Sequence, residues 1–116
     1  MKILNEEFEF DFYDADINEK IENSIEKTSK DIKNKMKLKS KKTSQVIREV
    51  CQIIFDFFDN LIGEGTSQKI FKGKTSLTVC IKAFEDFIDA KTQEEKRLEE
   101  ISKKYSSNRA TRRNKK

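Results

Sequence analysis

The chain has 116 residues, the usual size of one domain, with 40% charged and 34% hydrophobic side chains and a formal net charge of +4, so its apolar residues must be gathered on a few faces if it is to build a core. Proline is absent and there are three glycines, which removes the punctuation of all-β folds and favours long helices joined by few turns. Histidine is also absent; without it the commonest general base, the Ser-His and Cys-His nucleophile pairs and most catalytic zinc sites are lost, and no enzymatic activity is expected.

From Glu7 to Tyr13 the residues alternate, with Phe8, Phe10 and Phe12 on one face and Glu7, Glu9 and Asp11 on the other, the period of a half-buried strand. Met1 to Leu4 is expected to pair back on it through a tight turn at Asn5 and Glu6, although the Asn-Gly or Asp-Gly signal of such turns is missing. A lone hairpin is marginal in water, so the Phe face must lie on helices or on another chain. Glu6 and Glu7 interrupt the stretch in which a signal peptide would be apolar, so a cytoplasmic protein with reduced Cys51 and Cys80 is expected.

Asp16 and Glu19 resemble a capping pair, and Ile17, Ile21, Ile25, Ile32 and Met36 follow near helical spacing, which predicts a helix over residues 17–35. Lys33 to Lys42 contains six lysines and Ser40 and reads as the fraying end of that helix and a linker. Thr43 or Ser44 then opens a helix over residues 44–62. Its apolar residues Val46, Ile47, Val50, Cys51, Ile54, Phe55, Phe57, Phe58, Leu61 and Ile62 cover most of its circumference, so it should be the central helix of the core. Arg48, Glu49, Asp56 and Asp59 interrupt this stretch, which falls short of the roughly 20 apolar residues that cross a bilayer, and no membrane partner is expected.

Gly63 and Gly65 are expected to stop that helix in the manner of a left-handed C-cap. Residues 67–71 form a short helix that Gly73 ends, and Thr75 is placed to cap a last helix over residues 76–105. Leu77, Cys80, Ile81, Phe84, Phe87 and Ile88 line its first half. Leu98, Ile101 and Tyr105 continue the pattern sparsely among Glu94, Glu95, Lys96, Arg97, Glu99 and Glu100, so the distal half should project into solvent or await a partner. The expected architecture is mainly α: a small bundle of three main helices and one short helix with an N-terminal strand or hairpin (residues 1–105), then a disordered basic tail (residues 106–116).

Two partial motifs fail on their own spacing. Gly73, Lys74, Thr75 and Ser76 spell the end of a phosphate-binding loop, but Gln68 stands where that motif needs glycine, and a short helix precedes it where a strand is needed. Asp14, Asp16 and Asn18 imitate the start of a calcium loop, but Glu19 and Ile25 stand where it needs glycine and glutamate. Asp56 with Asp59, and Glu85 with Asp86 and Asp89, read as solvated helix faces, and the two cysteines as core packing. No catalytic, cofactor-binding or metal-binding residue and no small-molecule substrate are expected.

The charge layout is more informative. Residues 1–26 carry nine acids and two lysines, a net of −7, whereas residues 103–116 carry seven basic residues and no acid. Such a tail, with Arg109, Arg112 and Arg113, suits an acidic protein partner or a plain solubilising role or, as the lesser reading, the phosphates of nucleic acid.

Two stretches, Glu7 to Asp16 (EFEFDFYDAD) with the Asn18-Glu19-Lys20 helix behind it, and Phe57 to Leu77 (FFDNLIGEGTSQKIFKGKTSL) with its acidic, Phe-rich helix, resemble a family of small proteins from phages and prophages of Gram-positive bacteria. The closing Asn108, Arg109, Ala110, Thr111, Arg112 and Arg113 resembles the NRAxRR tails of phage tail assembly chaperones. The resemblance spans about 80% of the chain and contains no catalytic motif. It implies a morphogenesis factor that keeps a helical tape-measure protein soluble, recruits tail-tube subunits and is absent from the finished particle. Leu98, Ile101 and Tyr105 would engage a partner helix. Phe8, Phe10 and Phe12 would either dock by edge pairing or, the favoured reading, close the core over the second helix, and the tail arginines would grip the partner. Self-association, a structural role in the virion, a nucleic-acid-binding regulator using Lys33 to Lys42 and the Arg cluster, and a host-directed inhibitor are the alternatives.

Overall fold

The computed structural model describes residues 2–4, 6–37 and 42–114, with side chains as far as Tyr105. In chain order the elements are β1 (Lys2–Ile3), β2 (Glu6–Glu7), α1 (Ala15–Met36), α2 (Thr43–Leu61), α3 (Thr66–Phe71) and α4 (Leu77–Asn114). The protein is mainly helical, as its composition and periodicity indicate. The centre is α2, against which α1, α3 and α4 all pack. It buries Val50, Cys51, Ile54, Phe57, Phe58 and Leu61, a band too wide for one neighbour, because the spacings of three and four turn apolar side chains to both sides of the axis.

The start of α1 follows from local hydrogen bonding. Asp14 has extended backbone angles, and its carboxylate accepts from the N–H groups of Asp16 and Ile17 at 3.0 and 3.1 Å. This satisfies two of the donors that a helix start leaves open. The capping pair expected at Asp16 and Glu19 is thereby corrected: Asp16 lies inside the first turn, and α1 begins two residues early. The face of α1 that meets α2 carries buried Ile21 and Thr28, with Ile17, Ile25 and Ile32 partly buried. Met36 at its end is 50% exposed. The linker expected after it lies largely at residues 38–41, outside the described residues.

At α2 the expected Thr43 or Ser44 cap is also corrected. Lys42 occupies the extended cap position without a side-chain bond, and both hydroxyl residues lie in the first turn. The helix ends at Leu61, Ile62 is still right-handed, and left-handed Gly65 (φ 88°) begins α3 instead of closing α2. Asp59 secures this corner by accepting from the Ser67 backbone N–H at 2.7 Å and from the Ser67 hydroxyl at 2.8 Å. The left-handed residue closing α3 is Lys72 (φ 52°), followed by Gly73 (φ 81°).

The cap expected at Thr75 falls one residue later. The Ser76 carbonyl accepts from Cys80 N–H at 2.9 Å, and its hydroxyl accepts weakly from Val79 N–H at 3.4 Å. From there α4 runs 38 residues to Asn114, about 57 Å, so the helix continues beyond the expected end at Tyr105. The expectation of disorder in residues 106–116 concerns a stretch whose side chains lie outside the described residues. Principal extents of 70 × 29 × 22 Å reflect one helix much longer than the body that packs against it.

The N-terminal strand is shorter than its alternation suggests. Lys2 pairs with Glu7 and Ile3 with Glu6, antiparallel; residues 8–11 continue outside the ladder with no regular secondary structure, and Asn5 of the expected turn lies outside the described residues. The alternation in burial persists: Phe12 is buried, Phe8 and Phe10 half-buried, and Glu9 and Asp11 exposed. Packing on a helix surface rewards that alternation as well as a sheet does, since it depends only on alternate side chains turning to an apolar face.

Candidate partner-binding face

On α4, Leu77, Cys80, Phe84, Phe87, Lys91, Glu94, Leu98, Ile101 and Tyr105 alternate spacings of three and four residues. This is the repeat that keeps one stripe of a helix against a partner helix. The stripe begins as core: Cys80 and Phe87 have no exposed surface, and Phe84 is 6% exposed. It ends bare, with Leu98 53%, Ile101 42% and Tyr105 67% exposed.

Two polar residues mark the change. Lys91 is 8% exposed, its stem over the core and its ammonium between Glu22 of α1 at 3.9 Å and Glu95 one turn on. Glu94 accepts from the Tyr13 hydroxyl at 2.6 Å and lies 3.7 Å from Arg97. That hydrogen bond raises the Tyr13 phenol above its ordinary range, with small contributions from burial and the carboxylate charge. The N-terminal segment and the start of α1 thus cover α4 as far as about Glu94. Between them opens a crevice of about 430 Å³ lined by Phe12, Tyr13, Ala15 and Leu98 together with Asn18, Glu19, Glu22 and Glu95. Leu98 therefore belongs both to the crevice and to the free seam.

The phenylalanines of the N-terminal segment are occupied within the chain. Phe10 and Phe12 each bring their ring centroid 6.1 Å from that of Phe87, and 5.6 Å from each other. Lys69 of α3 holds its ammonium 5.8 Å from the centre of the Phe8 ring. Phe10 and Phe12 thus pack on α4 through Phe87, while Phe8 lies beside α3, and all three belong to or border the one core cluster. Leu98, Ile101 and Tyr105 share one exposed face. Arg109, Arg112 and Arg113 lie on the backbone of the same helix, and their side chains are outside the described residues.

Other candidate features have local roles. Cys51 and Cys80 are buried free thiols; burial pushes the Cys80 thiol far up, and a hydrogen bond with Cys51 adds to the shift. The loop through Gly73, Lys74, Thr75 and Ser76 follows helix α3, and the Lys74 N–H is bonded to the Phe71 carbonyl at 3.0 Å, so that donor is turned inward and does not cradle a phosphate. Among the described residues no cluster of three His, Cys, Asp or Glu side chains is placed to hold a metal. No helix among them is long and apolar enough to cross a membrane. The Lys91 and Tyr13 contacts were not singled out in the sequence; the seven-residue repeat, apolar except at Lys91 and Glu94, marks those two positions as exceptions but not their partners Glu22 and Tyr13.

A compact helical body carrying one long helix, whose core stripe continues bare beyond it, defines a mainly helical protein with an exposed apolar stripe at Leu98, Ile101 and Tyr105. The profile of a family of unknown function, DUF6673, matches residues 4–116, and the chain belongs to that family. No curated protein and no solved structure matches it.

Proposed function

We propose that this protein is a non-enzymatic phage tail morphogenesis factor acting in the host cytoplasm, a tail assembly chaperone that captures an amphipathic helix of a client such as the tape-measure protein. The observation that carries the capture reading is the exposed seam of Leu98, Ile101 and Tyr105 in register with the buried stripe of the same helix. Apolar side chains at a and d positions on a helix already held rigid by its core half present a preorganised surface, so little ordering entropy opposes docking of a second helix. A tape-measure protein, with long apolar helical stripes, is a client of the right chemistry. The phage setting rests on the resemblance of the two N-terminal and central stretches and of the NRATRR ending.

Co-expression with a phage tape-measure protein tests this. The client is expected to stay in the soluble fraction with the intact protein and to precipitate when Leu98→Asp and Ile101→Asp are combined. Mass spectrometry of purified virions should find the protein missing. A stoichiometric amount in mature particles would overturn the transient role.

A further inference from the structure

We propose that in the absence of a client the seam of α4 is covered by the α4 of a second copy of this chain, paired antiparallel. The inference rests on the reading of that seam as a helix-docking surface and names its resident occupant. The argument is one of charge. Just outside the body, Glu94 to Ser102 carries four acids, Glu94, Glu95, Glu99 and Glu100, against Lys96 and Arg97, whereas residues 103–116 carry seven basic residues and no acid. Glu19 and Glu22, which line the same crevice as Leu98, add to the acidic end.

The two charged ends of this arm cannot meet within one chain. From Glu95 to Arg109 the backbone is continuous helix, which holds the two positions about 21 Å apart. Parallel pairing of two arms sets base on base at the distal end and acid on acid at the proximal end. Antiparallel pairing sets each basic end against the other copy's acidic end, while Leu98, Ile101 and Tyr105 of both copies meet near the twofold axis. The contact is isologous and closes at two copies. Lys91 and Glu94, engaged by Glu22 and Tyr13, interrupt the seam at the body and confine the overlap to the arm. With three apolar residues per copy the interface is small and the dimer weak, so a client helix of greater apolar length displaces it.

Sedimentation equilibrium of the full chain, from about 5 to about 500 µM at low salt, reads that association. The mass is expected to rise from 13.7 kDa toward twice that value, and Leu98→Asp with Ile101→Asp should hold it at the monomer while the helical circular dichroism is retained. The pairs Glu95→Lys with Glu99→Lys, and Lys104→Glu with Arg109→Glu, should each weaken the dimer at least tenfold, and an equimolar mixture of the two variants should restore it. A chain that is monomeric at the highest concentration overturns the proposal, as does a dimer indifferent to the seam or to either charge reversal. Capture of a client by a strictly monomeric chain would refute this pairing and leave the capture reading intact; a charge-sensitive dimer that captures no client would do the reverse.

Discussion

Phe87 and Leu98 occupy the same stripe of α4 three turns apart, and truncating each to alanine probes opposite ends of it. Phe87 has no exposed surface, and its ring centre lies 5.3 Å from that of Phe57 and 6.1 Å from those of Phe10, Phe12 and Phe58. Phe87→Ala removes the ring that joins the N-terminal segment, α2 and α4, so the loss combines transfer of the ring with the cavity left among four neighbours. About 3–5 kcal/mol is expected, a large share of the roughly 6–15 kcal/mol that a domain of this size has in total. Leu98 is 53% exposed, and Leu98→Ala should change stability by no more than about 0.5 kcal/mol. Urea unfolding followed by far-ultraviolet circular dichroism, at a few micromolar protein so that self-association does not contribute, measures both. A loss below about 1.5 kcal/mol for Phe87→Ala, or above that for Leu98→Ala, would refute the division of α4 into a core half and an open half.

Three further substitutions test particular contacts. Asp14→Ala should cost about 1 kcal/mol and Asp14→Asn much less, because only the first removes the oxygen that accepts from Asp16 and Ile17; chemical denaturation of the pair reads the difference. Lys91→Met should be neutral or stabilising by about 1 kcal/mol, since it replaces a buried cation over the core while Glu22 and Glu95 remain hydrated, and a loss above about 2 kcal/mol would show that the ion pairs are structural. Cys80 sets a pH dependence: its folded-state pKa is raised above the ordinary 9.0 by burial and the Cys51 contact, so its contribution is fully present below that value. As pH rises the unfolded chain loses the proton first, and stability falls. Between pH 8 and pH 10 the wild type should lose about 1.4 kcal/mol more than Cys80→Ala does, measured by urea unfolding at each pH.

The helices were legible because each carries its signal within a few turns. The isoleucines of α1, the crowded apolar run of α2 and the glycines around α3 place those elements to within about two residues. Capping was less so, since Asp14 competes with Asp16 and Ser76 with Thr75; the choice falls to whichever residue packing leaves extended one position before the helix. At the N-terminus the alternation of Phe8, Phe10 and Phe12 correctly separated inward from outward side chains. It was silent on hydrogen-bond partners, because a segment laid over a helix and a strand in a sheet can share the period of two.

The site divides in the same way. Local periodicity alone marks Leu98, Ile101 and Tyr105 as a sparse seam on a charged helix, and the order of charges along the chain sets an acidic start against a basic end. Where the covered stripe stops is a tertiary matter. Glu22 reaches Lys91 from α1, and Tyr13 reaches Glu94 from the N-terminal segment, across separations that no local pattern encodes. Burial depends on what other elements bring over a helix face, and here the body stops at Glu94, leaving the last three apolar residues of the stripe bare.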